Sequence, residues 1–247
     1  MSYSWRWGVF WEPVPAGGGT YLDWLLAGLR MTAALSLSSW AVASVVGALM
    51  GVLRTVPSRW LRGLAAIYVE VFRNIPLLVQ LFIWYFVVPE LVPSRLGLWI
   101  KGLHPLVQQF VSAMFCLAFF TGARICEQVR AGIESLSRGQ KNAGLALGFT
   151  LPQTYRYVLL PMAFRIIVPP LTSEMLNLFK NSAVASTIGL LELAAMGRQL
   201  VDYTAQPYES FIAVTLLYVC LNVVVLVFMR WLEERLRVPG YMGGGRG

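Results

Sequence analysis

Five long stretches of this chain, at about residues 25–53, 64–89, 105–123, 162–181 and 207–229, are apolar with few interruptions by charge. A helix rises 1.5 Å per residue, so about 20 apolar residues cross the ~30 Å hydrocarbon layer of a bilayer, and each stretch meets that length. In lipid every backbone N–H and C=O must be paired within its own segment. These runs are too long for barrel strands, so helices are the expected form. The pattern predicts an all-α membrane protein of five transmembrane helices, and an odd number puts the two termini on opposite sides.

The polar positions between the runs orient the bundle. Lys and Arg concentrate in cytoplasmic connections. Arg54, Arg59, Arg62, Arg124, Arg130, Arg138, Lys141, Arg156, Arg165, Arg230, Arg235, Arg237 and Arg246 fall on one side, against Arg6, Arg95, Lys101 and Arg198 on the other. Thirteen against four places the N-terminus outside and the C-terminus inside. Residues 1–24, with four Trp around a run of glycines, read as an outer-surface lead-in at headgroup level. Residues 25–235 read as a single transmembrane domain, and 236–247 as a flexible cytoplasmic tail.

Composition agrees with the bilayer: 57% of residues are hydrophobic and 13% charged. A net charge of +8 could suggest nucleic acid, but it follows the cytoplasmic edges of the spans, where anionic headgroups attract it. The expected partner of that charge is lipid, with no nucleic acid. Cys116, Cys126 and Cys220 lack CxxC spacing and read as packed residues. No GxxxxGK[ST] loop, HExxH pair or GxSxG elbow occurs, so no catalytic residue, metal or cofactor is expected.

The connection from about Arg124 to Arg165 is too long for a turn and too patterned for disorder. Two short helices fit it: one from Arg138 to Leu147, stopped by Gly148, and one opened by Thr150-Leu151-Pro152-Gln153, whose hydroxyl and amide suit a capping box. Pro161 is expected to break the second and begin the fourth span.

The same stretch resembles the signature EAA-x3-G-x9-I-x-L-P of binding-protein-dependent ABC importer permeases. Here it reads Asn142-Ala143-Gly144, Gly148, then Val158-Leu159-Leu160-Pro161, with both spacings kept and Asn142, Gly144 and Val158 departing in identity. Phe72-Arg73-Asn74-Ile75-Pro76-Leu77-Leu78-Val79-Gln80 looks like the second-span motif of polar amino-acid permeases, and Glu174 to Ser182 like their fourth-span motif. With Ser4-Trp5-Arg6-Trp7-Gly8 and Leu53-Arg54-Thr55-Val56-Pro57, nearly the whole chain resembles the glutamate/aspartate branch of that family.

The resemblance implies a subunit of the bacterial inner (plasma) membrane that moves an amino acid, glutamate or aspartate, by alternating access. It implies partners: an ABC ATPase dimer, a second homologous permease subunit and a periplasmic solute-binding protein. The chain itself is then no enzyme, since the ATPase is a separate subunit. It also implies a coupling loop at about 134–161 that docks on the ATPase through Arg138, Asn142, Ala143, Gly144, Leu147, Gly148 and Pro161. Alternatives are a glutamine or general polar amino-acid permease, an ion-coupled secondary transporter, and a receptor without transport. A secondary transporter would show an inverted repeat or a broken-helix pair, and neither is expected here.

Ionisable groups inside a bilayer are costly unless paired or facing a polar cavity, so Arg73 and Glu174, roughly 15 Å and 18 Å into their spans, are candidates for a pathway. Asn181 lies seven residues from Glu174, two turns along one helix face, and Ser182 follows it. In relatives that carry basic amino acids the matching pair looks acidic, so the resemblance implies that a neutral Asn181 favours an acidic or neutral substrate. Glu70 and Arg73, and Glu127 and Arg130, are each three apart and read as structural pairs.

Overall fold

The computed structural model describes residues 3–15 and 17–236, apart from the side chain of Arg138. The first long helix, α1 (Tyr21–Leu53), starts at a capping box: Asp23 accepts from the Thr20 backbone N–H (2.8 Å) while the Thr20 hydroxyl accepts from the Asp23 N–H (3.3 Å). Its buried positions include Gly28, Thr32, Ser36, Ser39, Ala43, Gly47 and Gly51, a stripe of small residues at steps of three and four. Such a stripe lets two helix backbones approach closely inside a membrane, where packing and not water exclusion holds helices together. A Cβ added to Gly47 would sit 2.7 Å from the carbonyl oxygen of Gly122, and one added to Gly51 would lie 2.5 Å from Cβ of Val129. Both neighbours lie on α5 (Pro105–Glu134), and among the described residues no two helices touch more extensively than α1 and α5.

Around this pair stand α2 (Arg59–Asn74), α3 (Leu77–Leu91), α4 (Ser94–Lys101), α6 (Arg138–Ala146), α7 (Leu151–Ile188), α8 (Leu193–Thr204) and α9 (Pro207–Leu236). The helices α1, α5, α7 and α9 are each long and apolar enough to cross a membrane alone, while α2 and α3 do so only as a pair bent by 106°. Counted together, the pair makes the fifth span.

The bend corrects the expectation of one helix over 64–89 and of no broken-helix pair. Pro76 supplies no N–H and forces the residue before it out of the helical region; Ile75 is extended (φ −92°, ψ 131°). The carbonyls so released are recovered by one buried side chain. Gln80 Nε2 donates to Phe72 O (2.9 Å) and Ile75 O (2.8 Å).

Two further expectations are corrected. The third span does not stop at 123: α5 runs on to Glu134, because its charged residues beyond that point pair with one another and with α1. Pro161 does not end a helix either. One wide turn, Tyr155–Leu159, with i to i+5 bonding, lets α7 continue past the proline, and Ile83–Val87 does the same ahead of Pro89 in α3. The second helix of the cytoplasmic segment is therefore the beginning of the fourth span.

On the outer side, Glu192 is fully buried and caps α8, accepting from the N–H groups of Ala194 (3.0 Å) and Ala195 (2.8 Å) and from the Tyr218 hydroxyl (2.7 Å). The predicted tail, beyond Leu236, lies outside the described residues.

Candidate transport and coupling sites

Inside the bundle the pathway candidates separate into those that converge and those that do not. Glu174, half-buried on α7, faces Arg124 of α5, whose Nη1 stands 3.8 Å from Glu174 Oε2. That oxygen is buried and has no hydrogen-bond partner among the described residues, because 3.8 Å is an ion-pair distance and not a hydrogen bond. The Arg124 guanidinium also lies over the Phe120 ring, 4.9 Å from its centre. Arg73, exposed on the last turn of α2 just before the break, acts electrostatically on both Glu174 and Glu127. Arg124 and, at longer range, Arg73 thus bear on one carboxylate, whose Oε2 has no hydrogen-bond partner among the described residues.

Asn181 is half-buried at the outer end of the regular part of α7, about 10 Å of helix rise from Glu174. Ser182 is fully buried, its hydroxyl donating to Phe179 O at 2.7 Å, which removes it from any pathway surface in this conformation. Glu70 accepts from Asn74 Nδ2 at 2.7 Å and forms no ion pair with Arg73 among the described residues, so that expectation is corrected. The one-turn neighbour Asn74 satisfies Glu70, and Arg73 forms no ion pair among the described residues.

Glu127 and Arg130 do pair, at 2.8 Å, within a larger network. Arg54 at the end of α1 reaches Glu127 (3.4 Å), and Arg130 also reaches Glu134 (2.6 Å). Beside it the Tyr155 hydroxyl donates to Thr55 O (2.9 Å), tying the start of α7 to the turn after α1.

The cytoplasmic segment turns back on itself at Gly148. Its φ of +85° is the left-handed region that glycine tolerates, and the N–H groups of Gly148 and Phe149 close onto Leu145 O (3.0 Å) and Gly144 O (3.2 Å). Gly144 is buried against α7: a Cβ there would meet Thr154 Cγ2 at 2.9 Å. The capping box of Thr150 and Gln153 is formed. Asn142, Ala143, Leu145 and Leu147 face outward, Leu147 78% exposed, so α6 presents an apolar face that nothing among the described residues covers. Arg138 opens α6, and its side chain lies outside the described residues.

Sequence reasoning missed Arg124, Gln80, Arg54 and Tyr155. Arg124 was counted only as a cytoplasmic edge charge, although it follows an apolar run without a break. Gln80 carried a usable signal: a buried amide four residues after a proline inside an apolar run.

A bundle of this form, with an Arg–Glu pair between two of its spans and an exposed helix held out on its cytoplasmic side, is the architecture of an importer permease that takes its energy from another subunit. The chain belongs to the family described as the binding-protein-dependent transport system inner membrane component, which it matches over residues 43–238. The glutamate/aspartate import permease protein GltJ of Escherichia coli strain K12 is 56% identical over 245 residues, covering 99% of this chain and 100% of the relative. The probable glutamine ABC transporter permease protein GlnM of Bacillus subtilis strain 168 is 34% identical, with coverage of 87% and 93%.

Among solved structures, the crystal structure of an amino acid ABC transporter with histidines superposes with a TM-score of 0.73 at 27% identity, covering 87% of this chain and 95% of that one. An inward-facing form of the MetNI methionine ABC transporter shares the fold (TM-score 0.72, 23% identity, coverage 88% and 98%). Family membership makes the chain a multi-pass inner-membrane permease subunit, with ATP hydrolysis in a separate subunit and a solute-binding protein upstream.

Proposed function

We propose that this permease imports an acidic amino acid, glutamate or aspartate, as one of two homologous permease chains above an ATPase dimer. The observation that carries the reading is the charge balance at Glu174. Arg124 stands 3.8 Å from that carboxylate and Arg73 adds a second positive charge at longer range, while an acidic amino acid brings two carboxylates and one ammonium. Glu174 accepts the ammonium; the guanidinium forks, rigid and always charged, take the carboxylates. Asn181 adds an amide without adding repulsion. A basic substrate would bring a second cation to a site already rich in them. The high identity to a glutamate/aspartate import permease supports the same substrate.

Transport follows from rigid parts. ATPase closure acts on α6, whose exposed face formed by Asn142, Ala143 and Leu147 docks in a groove on that subunit, with Arg138 at its edge. Gly148 and Gly144 fix α6 against the base of α7, and because α7 continues through the wide turn before Pro161, a push on the loop reaches Glu174 along one helix. The cavity is thereby opened to alternate sides.

Competition of labelled glutamate uptake in liposomes containing the whole importer tests the substrate: glutamate and aspartate should compete, glutamine and arginine weakly or not at all. Equal competition by glutamine would remove the charge argument.

A further inference from the structure

The cytoplasmic ends of α1, α2 and α5 border an open pocket of ≈ 390 Å³ outside the proposed pathway, lined among others by Arg54, Arg59, Arg62, Gly63, Arg130 and Glu134. Arg54 and Arg130 are engaged with Glu127 and Glu134, whereas Arg59 and Arg62 have no ion pair among the described residues. Two unneutralised guanidinium groups therefore face one space. The same space lies at the start of α2, a 16-residue helix, so the positive end of its dipole adds to them. Gly63 leaves the wall open, since a Cβ there would meet nothing within 4 Å.

Next to the charges, Trp60 is 91% and Leu64 57% exposed on the same helix end. Charge and grease side by side at the cytoplasmic edge of a membrane fit a ligand with an anionic head and apolar chains. We infer that this cavity binds the phosphate headgroup of an anionic phospholipid of the inner leaflet, with its acyl chains along Trp60 and Leu64. The inner leaflet supplies such a headgroup at that level, and basic pockets between helices on the cytoplasmic side suit it. Arg54 adjoins Thr55, the residue that Tyr155 grips, so the bound headgroup braces the turn on which the base of α7 rests.

Native mass spectrometry of the complete detergent-purified importer, titrated with phosphatidylglycerol and in parallel with phosphatidylethanolamine, tests this. The wild type should prefer phosphatidylglycerol. The double variant Arg59→Ala/Arg62→Ala should lose roughly twenty-five-fold in affinity for it, at about fivefold per arginine. Arg59→Lys/Arg62→Lys should keep most of the binding, and Arg165→Ala, an arginine elsewhere on the cytoplasmic side, should keep all of it. Excess inorganic phosphate should not displace the lipid, because it makes no contact with Trp60. Equal phosphatidylglycerol binding by wild type and double alanine variant overturns the proposal. So does full displacement by inorganic phosphate, which would make this a free-anion site. Loss of the ATPase subunit from the double variant with lipid binding intact overturns it as well, since the occupant would then be an acidic protein surface.

Discussion

At Asn181 the chain has an amide where an aspartate would be nearly isosteric, so Asn181→Asp tests charge with little change in shape. Two like charges about 7 Å apart repel by roughly 2 kcal/mol at an effective dielectric of 20. Glutamate transport by that variant should show a KM raised about tenfold or more, with binding-protein-stimulated ATP hydrolysis retained; an unchanged KM would exclude Asn181 from the site. Gln80 is the other residue whose role is specific. Gln80→Leu keeps the apolar volume but leaves the carbonyls of Phe72 and Ile75 unpaired in the membrane interior, at about 1–3 kcal/mol each. The purified importer should melt at a lower temperature, and an unchanged melting curve would mean that something else holds the bend. Both residues stand in motifs that were visible in the sequence. What Gln80 does was not, because it acts on backbone atoms freed by a bend, and neither was the match of Glu174, on the face of Asn181, by Arg124 from another helix.

Helices were legible to the extent that hydrophobic length defines them, and the misreadings all occurred where a proline or a charge interrupts the run. Pro76 breaks its span and Pro161 does not, although each follows an apolar residue inside a helical pattern. The difference lies in the hydrogen bonds that surround them: at Pro161 the turn Tyr155–Leu159 absorbs the missing donor within one continuous axis, whereas at Pro76 Gln80 stabilises a break. The turn at Gly148 is the element on which coupling depends. Gly148→Val places a β-branched residue at φ +85°, costing about 1–2 kcal/mol and favouring another path for the chain between α6 and α7. Such a variant should insert in the membrane normally yet lose most of the stimulation of ATP hydrolysis by the binding protein. Full stimulation would show that α6 need not be held against Thr154.

As a whole molecule this permease has no source of energy in its own residues. Uptake into liposomes should require ATP inside, the ATPase subunits and the loaded binding protein, and should be indifferent to sodium or proton gradients. Gradient-driven uptake without ATP would contradict the family assignment directly. The broken pair α2 and α3, a feature associated with secondary transporters, does not argue otherwise, since the solved ABC transporters share the fold at a TM-score of 0.73 and 0.72.

The sequence alone determined that this is a five-span membrane protein with its basic side in the cytoplasm, because hydrophobic length and the placement of Lys and Arg answer to the bilayer and not to neighbouring helices. It also carried the spacing from Asn142 to Pro161, a local property of one hairpin. Tertiary structure decided what depends on other elements: the 106° break, the run of α5 to Glu134, the retreat of Ser182 into the core, and the pairing of Arg124 with Glu174. An ionisable group in a span must find its partner or a cavity, and that partner comes from a segment about 50 residues away, a distance over which periodicity carries no information.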